Sequence, residues 1–339
     1  MIKTSTKSNA AYAGFSTRGI AIFFVAAAAL PLLLTPYQTF QWTMIIGYAI
    51  ALLGLNILMG YNGQISLGHG AFYAVGAYIS GILMEHFGMP YVWTIPCAAL
   101  GGFVAGFLFG LPALKLENLY LALATFGLAF AMPQLLKYRA LEDWTGGVEG
   151  ITIMKPEVPF GLPITQDQWL FYLSLFVALL MFVLARNLLQ GRIGRAIVAV
   201  RDHPVAASAM GVNLVMLKSF TFGVSAMYTA IAGALSTICV QYVSPDSFSL
   251  FLSITFLVGA VIGGLATLSG PVFGAILIGL LPNFAEQVSK SASGAVYGVL
   301  LIACVYVMPS GIAGVLASLR SKIRKPAIPQ SSISSEETI

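Results

Sequence analysis

Apolar residues occur along this chain in long uninterrupted blocks rather than in the short periods of soluble helices or strands. Residues 19–84 contain no Asp, Glu, Lys or Arg, and residues 219–285 contain a single charged side chain, Asp246. A membrane-spanning helix needs about 20 mostly apolar residues. The pattern therefore predicts ten apolar segments, approximately 19–35, 40–59, 66–84, 91–111, 118–136, 168–187, 217–238, 250–267, 270–285 and 294–312.

The composition of the chain agrees with this pattern and excludes a water-soluble globule. Hydrophobic residues make up 58% of the chain and charged residues 9%, whereas a soluble domain has about 25% charged residues. The alternation typical of a membrane barrel is absent, and only helices satisfy their own backbone hydrogen bonds in lipid. The predicted fold is an all-α integral membrane protein with about ten transmembrane helices.

The distribution of charge predicts how the chain is oriented in the membrane. With the N-terminus inside, ten spans place 13 of the 17 Lys and Arg residues on the cytoplasmic side, and eight of the 12 acidic residues outside. This is the asymmetry of the positive-inside rule. Both termini are predicted to be cytoplasmic, and the net charge of +5 indicates topology rather than a nucleic-acid partner.

Hydrophilic stretches divide the chain into regions. A cytoplasmic tail is predicted at 1–18, a transmembrane domain at 19–316, and a second cytoplasmic tail at 317–339, whose serine-rich and acidic end predicts disorder. Two long loops interrupt the domain, an outer one at 137–167 and an inner one at 188–216. Five spans precede the outer loop and five follow it, which allows an inverted repeat, although the two halves show no convincing residue-by-residue similarity.

The most polar stretch of the charge-free region is GYNGQISLGHGAFYAVGAY, residues 60–78. It contains Asn62, Gln64, Ser66 and His69 among five glycines. Polar side chains at membrane depth are costly unless they pair or face a cavity. Two interpretations remain open: a loosened helix start beside a translocation path, or a cytoplasmic turn followed by a capped helix.

Small residues recur four positions apart on several predicted helices, a spacing that lets helix backbones approach closely in lipid. We expect these positions to pack against other helices within the protein. They are Gly102, Gly106 and Gly110, Gly259 and Gly263, Gly270 and Gly274, and Gly294 and Gly298.

The sequence of the inner loop predicts a short exposed helix. Asp202 can cap it, Pro204 is tolerated in its first turn, and Gly211 suits the left-handed residue that ends it. Its body is small and apolar although it faces the cytoplasm, which is typical of a docking site; the body consists of Val205, Ala206, Ala207, Ala209 and Met210. Alternatively, the neighbouring arginines could hold the loop on anionic lipid.

No catalytic or metal site is predicted. The chain has no HExxH zinc motif and no GxxxxGK[ST] phosphate loop, and Ser66 does not lie in a GxSxG elbow. Its three cysteines lie in apolar stretches without CxxC spacing. If transport by this protein consumes ATP, another chain must bind the nucleotide.

Four ordered blocks of the sequence resemble the LivM-type permeases of branched-chain amino acid ABC transporters. The resemblance runs from about residue 46 to residue 314 and includes the glycine-rich stretch 60–78. The other blocks are YLALATFGLAF with WTGGVEGI, RDHPVAASAMGVNLVMLKSFTFGVSAMYTAIAGAL, and SPDSFSLFLSITFLVGAVIGGLATLSGPVFGAIL. His203-Pro204 departs from the family's pattern, where a more acidic or amide-containing pair is expected.

The resemblance implies an inner-membrane, multi-pass permease subunit without covalent chemistry or a cofactor of its own. The implied partners are a second LivH-like permease, two ATP-binding subunits that hold ATP and Mg²⁺, and a periplasmic substrate-binding protein. The resemblance also implies that the inner loop contacts an ATPase, through Arg201, Asp202, Ala206, Ala207, Met210 and Gly211. We expect uncharged polar groups to line the substrate path, such as Asn56, Gln64 and Ser66.

The substrate does not follow from the resemblance alone. Branched-chain or related hydrophobic amino acids are expected, but members of this family also carry urea, short amides and aromatic acids. A stand-alone secondary transporter is a further alternative. It would need a coupling-ion site, and the acids nearest to a span are Asp246 and Glu286, both predicted at the surface.

Overall fold

The structure is a computed structural model of the 339-residue chain. It describes residues 24, 27–113, 118–154, 156–158, 163–290, 292–307 and 311–315. The predicted tails 1–18 and 317–339, and residues 19–23, 25 and 26 of the first predicted segment, lie outside the described residues.

The described part of the chain is almost entirely helical. The helices are, in chain order, α1 (Pro36–Asn56), α2 (His69–Glu85), α3 (Tyr91–Ala113), α4 (Asn118–Leu136), α5 (Glu142–Thr145), α6 (Gln166–Gln190), α7 (Arg192–Asp202), α8 (Pro204–Ala209), α9 (Leu214–Val240), α10 (Leu250–Gly263), α11 (Gly270–Val288) and α12 (Ser293–Val307). A π-helical turn, Ile57–Tyr61, continues α1, and 3₁₀ turns are formed by Leu30–Leu32, Arg139–Leu141 and Pro245–Phe248. Two short strands, β1 (Ile151–Thr152) and β2 (Tyr242–Val243), pair antiparallel.

Each predicted apolar segment from residue 40 onward contains one of the long helices. The largest differences at ends that lie well inside the described ranges are four residues: α1 begins at Pro36 rather than at 40, and α10 ends at Gly263 rather than at 267. Gly264 and Ala266 both have positive φ, 116° and 58°, a conformation that cannot continue a right-handed helix. Helix α10 therefore ends four residues before the predicted segment does.

Helix α9 lies at the centre of the bundle, with α1, α2 and α3 packed around it. Glycines permit this close approach. A Cβ at Gly106 would lie 3.1 Å from the carbonyl of Phe222, and one at Gly110 would lie 3.0 Å from the Cα of Ser219. The predicted packing role of the α3 glycines is confirmed. In lipid such close contacts replace the hydrophobic effect as the source of helix association.

The two ends of α9 define the two ends of the bundle. Its first residue follows α7 and α8, and its last residue leads into β2, which pairs with β1 of the outer loop. At this second end Lys137 forms a salt bridge with Asp246, with 2.6 Å between Nζ and Oδ1. We call these the Arg201 end and the Asp246 end.

Within the described ranges, six helices are long and apolar enough to cross a membrane: α1 with its π-helical turn, α3, α4, α6, α9 and α11. Helices α2, α10 and α12 have 17, 14 and 15 residues. Each of these shorter helices follows an irregular segment of the chain. The protein is a multi-pass, all-helical membrane protein.

Candidate functional site

The chain between α1 and α2 enters the bundle without regular structure. After the π-helical turn Ile57–Tyr61, residues 62–68 form a non-helical segment that ends where α2 begins. We call residues 62–68 the re-entrant segment. Non-helical backbone at membrane depth is tolerated only where protein or a cavity covers it, and π-helical turns occur frequently at functional sites.

A chain of hydrogen bonds fixes the end of the re-entrant segment. His69 Nε2 lies 2.7 Å from Ser225 Oγ, which donates its proton to the carbonyl of Gly54 at 2.7 Å. Because a hydroxyl carries one proton, Ser225 must accept from His69, so the imidazole is protonated on Nε2. Nδ1 then accepts from Ser66 Oγ at 3.1 Å. These bonds join the segment to α9 and α1.

Two further bonds connect this region to α4 and α10. The backbone N–H of Leu67 donates to Thr125 Oγ1, and the N–H of Gly70 donates to Ser253 Oγ, both at 2.9 Å. The second bond satisfies one of the N–H groups that the first turn of a helix leaves free. Five helices therefore meet around His69, near the middle of α9.

This polar cluster has the geometry of a structural junction. A serine hydroxyl bonded to an imidazole is also the arrangement of a nucleophile and its base. However, Ser66 and His69 are each 1% exposed. The second imidazole nitrogen is occupied by Ser225. The arrangement holds the start of α2 in place and leaves no room for a substrate beside the hydroxyl.

The other two predicted path residues are also buried. Asn56 is 1% exposed: its side-chain amide donates to the carbonyl of Thr267 at 2.6 Å and its oxygen accepts from the N–H of Ala266 at 2.8 Å. Gln64 is 4% exposed, with Nε2 3.4 Å from the carbonyl of Lys218. Their role in a substrate path stays a prediction. In this conformation they contact protein backbone.

Asn56→Ala is expected to destabilise the protein, because it leaves the N–H of Ala266 and the carbonyl of Thr267 without their partner. Lost bonds of this kind cost about 2 to 4 kcal/mol in total. The measurement is the thermal midpoint of the purified protein in detergent. Asn187→Ala, which truncates an exposed side chain on α6, is the matched control and should leave the midpoint unchanged. Equal midpoints for both variants would contradict this role.

Helix α7 lies against the Arg201 end of the bundle. It is amphipathic, with Ile197 buried in a cluster that includes Tyr61 and Leu189. At its end the guanidinium of Arg201 donates from Nη1 to the carbonyl of Gly60 at 2.8 Å, and from Nε to the Asp202 carboxylate at 2.9 Å. The inner loop is therefore bonded directly to the π-helical turn that leads into the re-entrant segment.

The stem of Arg201 also covers Gly63, whose φ is +74°. A Cβ at this position would lie 2.9 Å from Arg201 Cγ. Glycine is needed here both for its backbone conformation and for the space that the arginine occupies. The two contacts together seat Arg201 on the beginning of the re-entrant segment.

Helix α8 is the predicted exposed helix, with three corrections. The N-cap is His203 rather than Asp202, because the Asp202 carboxylate pairs with Arg201. Ala207 is only 5% exposed, so it faces the chain itself and not solvent. Gly211 has φ +86°, as predicted, but the helix already ends at Ala209.

The exposed surface formed by α8 and the following residue, Met210, is apolar except for Ser208. Val205 is 80% and Met210 is 85% exposed, and Ala206 and Ala209 are exposed beside them. Together with Arg201, Asp202 and Gly211 they are residues that the sequence singled out. Patches of this kind on a monomer mark surfaces that a partner covers.

Sequence reasoning missed several members of the polar cluster. Thr125, Ser225 and Ser253 lie in apolar segments, where a single hydroxyl is common in transmembrane helices. Only their meeting with the start of α2 gives them a role. Among the described residues, no group of three or more His, Cys, Asp or Glu side chains could hold a metal ion.

Comparison with known proteins gives a consistent result. The family described as branched-chain amino acid transport system permease component matches residues 39–305. The LivM permease of Salmonella typhimurium is 31% identical over 277 residues, 75% of this chain and 65% of that protein. The LivH permease of the same organism is 24% identical over 79% of this chain and 91% of its own length. A probable LivM permease of Methanocaldococcus jannaschii is 24% identical over 78% of this chain and 90% of its own length.

The match spans 65% of the length of the bacterial LivM relatives. No solved structure matches the chain.

Proposed function

This chain belongs to the family of branched-chain amino acid transport permease components, and from this premise we propose that it is the permease subunit of an ATP-driven importer. It forms part of the path for branched-chain or related hydrophobic amino acids that a periplasmic binding protein delivers. A second, LivH-like permease and two ATP-binding subunits complete the complex. ATP and Mg²⁺ bind to those subunits, and this chain needs no cofactor of its own.

The bond from Arg201 to Gly60 is the observation that supports this proposal most directly. An ATP-driven permease must transmit a change at an ATPase contact to the membrane interior. Here the exposed helix α8 follows α7 with one residue between them, and the penultimate residue of α7 is Arg201, whose guanidinium bonds to Gly60 at 2.8 Å. A movement of α8 would therefore be transmitted to the re-entrant segment through two short rigid elements, α7 and the π-helical turn Ile57–Tyr61. We assign the ATPase contact to the exposed part of α8.

We further propose ten spans with both termini in the cytoplasm. Consecutive long helices run in opposite directions, one from the Arg201 end to the Asp246 end and the next one back, as membrane spans joined by loops must. Among the described residues, the Arg201 end carries an excess of basic side chains in and beside its loops: Arg186, Arg192, Arg195, Arg201 and Lys218. The positive-inside rule assigns such an end to the cytoplasm. The membrane is then the inner membrane of a bacterial cell.

Co-purification tests the assembly. We expect a tagged chain, extracted from its native membrane in mild detergent, to bring with it two ATPase chains and a second permease. Uptake of labelled L-leucine by the reconstituted complex should require ATP, and competition with urea, short amides and aromatic acids ranks the substrates. A chain that is purified alone and moves leucine without ATP would instead be a stand-alone transporter.

Ala206→Glu should weaken the ATPase contact, because it places a charge on the apolar surface of α8 that a partner must desolvate. The expected result is at least a fivefold loss of co-purified ATPase with normal recovery of the permease chain. Ala199→Glu is the matched control, since Ala199 is an exposed alanine on α7, outside the proposed contact. Equal loss in both variants would argue against α8 as the contact.

A further inference from the structure

Two crevices open next to each other near the Asp246 end of the bundle. The first, of about 490 Å³, lies between α1 and α11 and is lined by the apolar or aromatic side chains of Tyr37, Leu280 and Phe284 and by six polar or charged ones, Gln38, Gln41, Asn283, Glu286, Gln287 and Lys290. The second, of about 360 Å³, lies between α1, α10, α11 and α12 and is lined mainly by Tyr48, Phe251, Leu252, Ile278, Pro282 and Tyr297. We call them the polar crevice and the apolar crevice. Glu286 lines both.

The polar crevice has unused hydrogen-bonding capacity. Gln41 and Asn283 are half-buried on spanning helices, and neither side chain makes a hydrogen bond with another residue in the part of the chain that the structure describes. Gln287 is exposed and likewise makes no hydrogen bond with another described residue. Amide side chains on spanning helices are costly unless they bond to something or face water, so this group of amides leaves donors and acceptors free for a polar ligand.

The charges of the polar crevice have opposite signs. Glu286 lies in the last turn of α11 and Lys290 follows four residues later. Neither forms an ion pair with any residue in the described ranges. A ligand with one positive and one negative group could satisfy both side chains at once, because charge-assisted hydrogen bonds are the strongest that side chains offer.

The apolar crevice is bordered by aromatic side chains. Tyr297 is 7% exposed and its ring centroid lies 6.1 Å from that of Phe251. Gly294 also lines this crevice, and a Cβ there would meet nothing within 4 Å. Most of the side chains that line the crevice are apolar, which suits an aliphatic side chain.

We propose that the two crevices together form a binding site for a zwitterionic α-amino acid with an apolar side chain. Glu286 binds the ammonium group, Lys290 and the neighbouring amides bind the carboxylate, and the side chain enters the apolar crevice. The combined volume is within the range of small-molecule sites, about 300 to 1,000 Å³. The proposal deepens the proposed function and rests on it for the choice of an amino acid.

The test uses the full chain in phosphatidylglycerol nanodiscs and binding of radiolabelled L-leucine. Glu286→Gln is expected to raise the dissociation constant about tenfold or more, since it removes a charge-assisted bond. Glu85→Gln, an exposed acid at the end of α2, should leave it unchanged. Isopentylamine and 4-methylpentanoate each lack one charged group and should compete at least tenfold more weakly than L-leucine. Unchanged binding by Glu286→Gln would overturn the proposal.

A second pair of variants tests the apolar crevice without altering charge. Gly294→Leu fills it, while Gly298→Leu adds the same side chain one turn along α12, where a Cβ also meets nothing within 4 Å. We expect only Gly294→Leu to weaken L-leucine binding, by fivefold or more. Equal affinities of the two variants would overturn the assignment of the side-chain space.

A lipid headgroup is the other source of the same zwitterionic chemistry. If replacement of part of the phosphatidylglycerol by phosphatidylethanolamine abolishes L-leucine binding by the unaltered chain, the site belongs to a lipid and the amino-acid proposal is wrong. Binding assays need neither ATP nor partner subunits. If the partner subunits do not co-purify, the L-leucine binding result can therefore still be interpreted independently.

Discussion

Gly76→Val is expected to abolish folding of the permease. Gly76 lies on α2 where this helix crosses α9, and a Cβ there would collide with the backbone of Ala230, including its carbonyl oxygen. The contact is reciprocal, because a Cβ at Gly233 of α9 would collide with the carbonyl of Tyr73. Backbone on both sides cannot move aside as a flexible side chain can. The two helices would have to separate.

Separation of α2 from α9 would also break the bond between His69 and Ser225, since these residues lie on the same pair of helices. The measurement is the recovery of a monodisperse peak by size-exclusion chromatography in detergent, with at least a tenfold loss expected. Gly127→Val on α4 is the matched control, because a Cβ at Gly127 would meet nothing within 4 Å. Normal recovery of Gly76→Val would show that α2 and α9 do not pack as closely as the structure places them.

Hydropathy predicts the helices well and their contacts hardly at all. The segments from residue 40 onward were predicted because apolar length is a local property of the sequence. The glycine spacing on α3 predicted a close helix contact, and that contact exists with α9. The same spacing on α12 was misleading. Gly294 and Gly298 face open space, since a four-residue interval does not say which face of a helix is covered.

The polar cluster could not be predicted because its members are far apart in the sequence. Ser225 is 156 positions from His69 and Ser253 is 183 positions from Gly70. A single sequence shows that these residues are polar but not that they meet.

The N-cap predicted for the helix of the inner loop was wrong because a neighbouring side chain competes for the capping group. Asp202 is a good N-cap residue, but the neighbouring Arg201 takes its carboxylate, and His203 occupies the cap position.

Glu286 shows a third kind of limit. The sequence placed it at the surface, and its side chain is indeed exposed. What the sequence could not show is that α1 and α11 bring three glutamines and an asparagine to the same crevice. Two helices separated by a long stretch of chain create that environment, so it exists only in the folded bundle.

Arg201 is the residue through which we expect the inner loop to act on the membrane interior. Its guanidinium makes two bonds in fixed directions, to the carbonyl of Gly60 and to Asp202, and its stem covers Gly63. Lysine cannot reproduce this geometry, because its ammonium is a compact point charge on a flexible stem. Of the two bonds, we expect the one to Gly60 to matter for coupling. The pair with Asp202 is partly exposed, and ion pairs of this kind contribute little to stability.

Arg201→Lys is therefore expected to reduce ATP-driven uptake of L-leucine by the reconstituted transporter about tenfold or more, while the ATPase chains still co-purify. A bond from a charged donor to a carbonyl is worth about 1.5 to 3 kcal/mol, which corresponds to a tenfold or larger change in an equilibrium constant. Asp202→Asn keeps the bond to Gly60 and should reduce uptake less than twofold. Arg195→Lys is the matched control, because Arg195 is exposed on the same helix and its Nη1 lies 3.5 Å from the carbonyl of Gln190. If the Arg201→Lys and Arg195→Lys transporters take up L-leucine equally well, the bond between the inner loop and the re-entrant segment is not needed for uptake. The coupling proposal would then lose its physical basis.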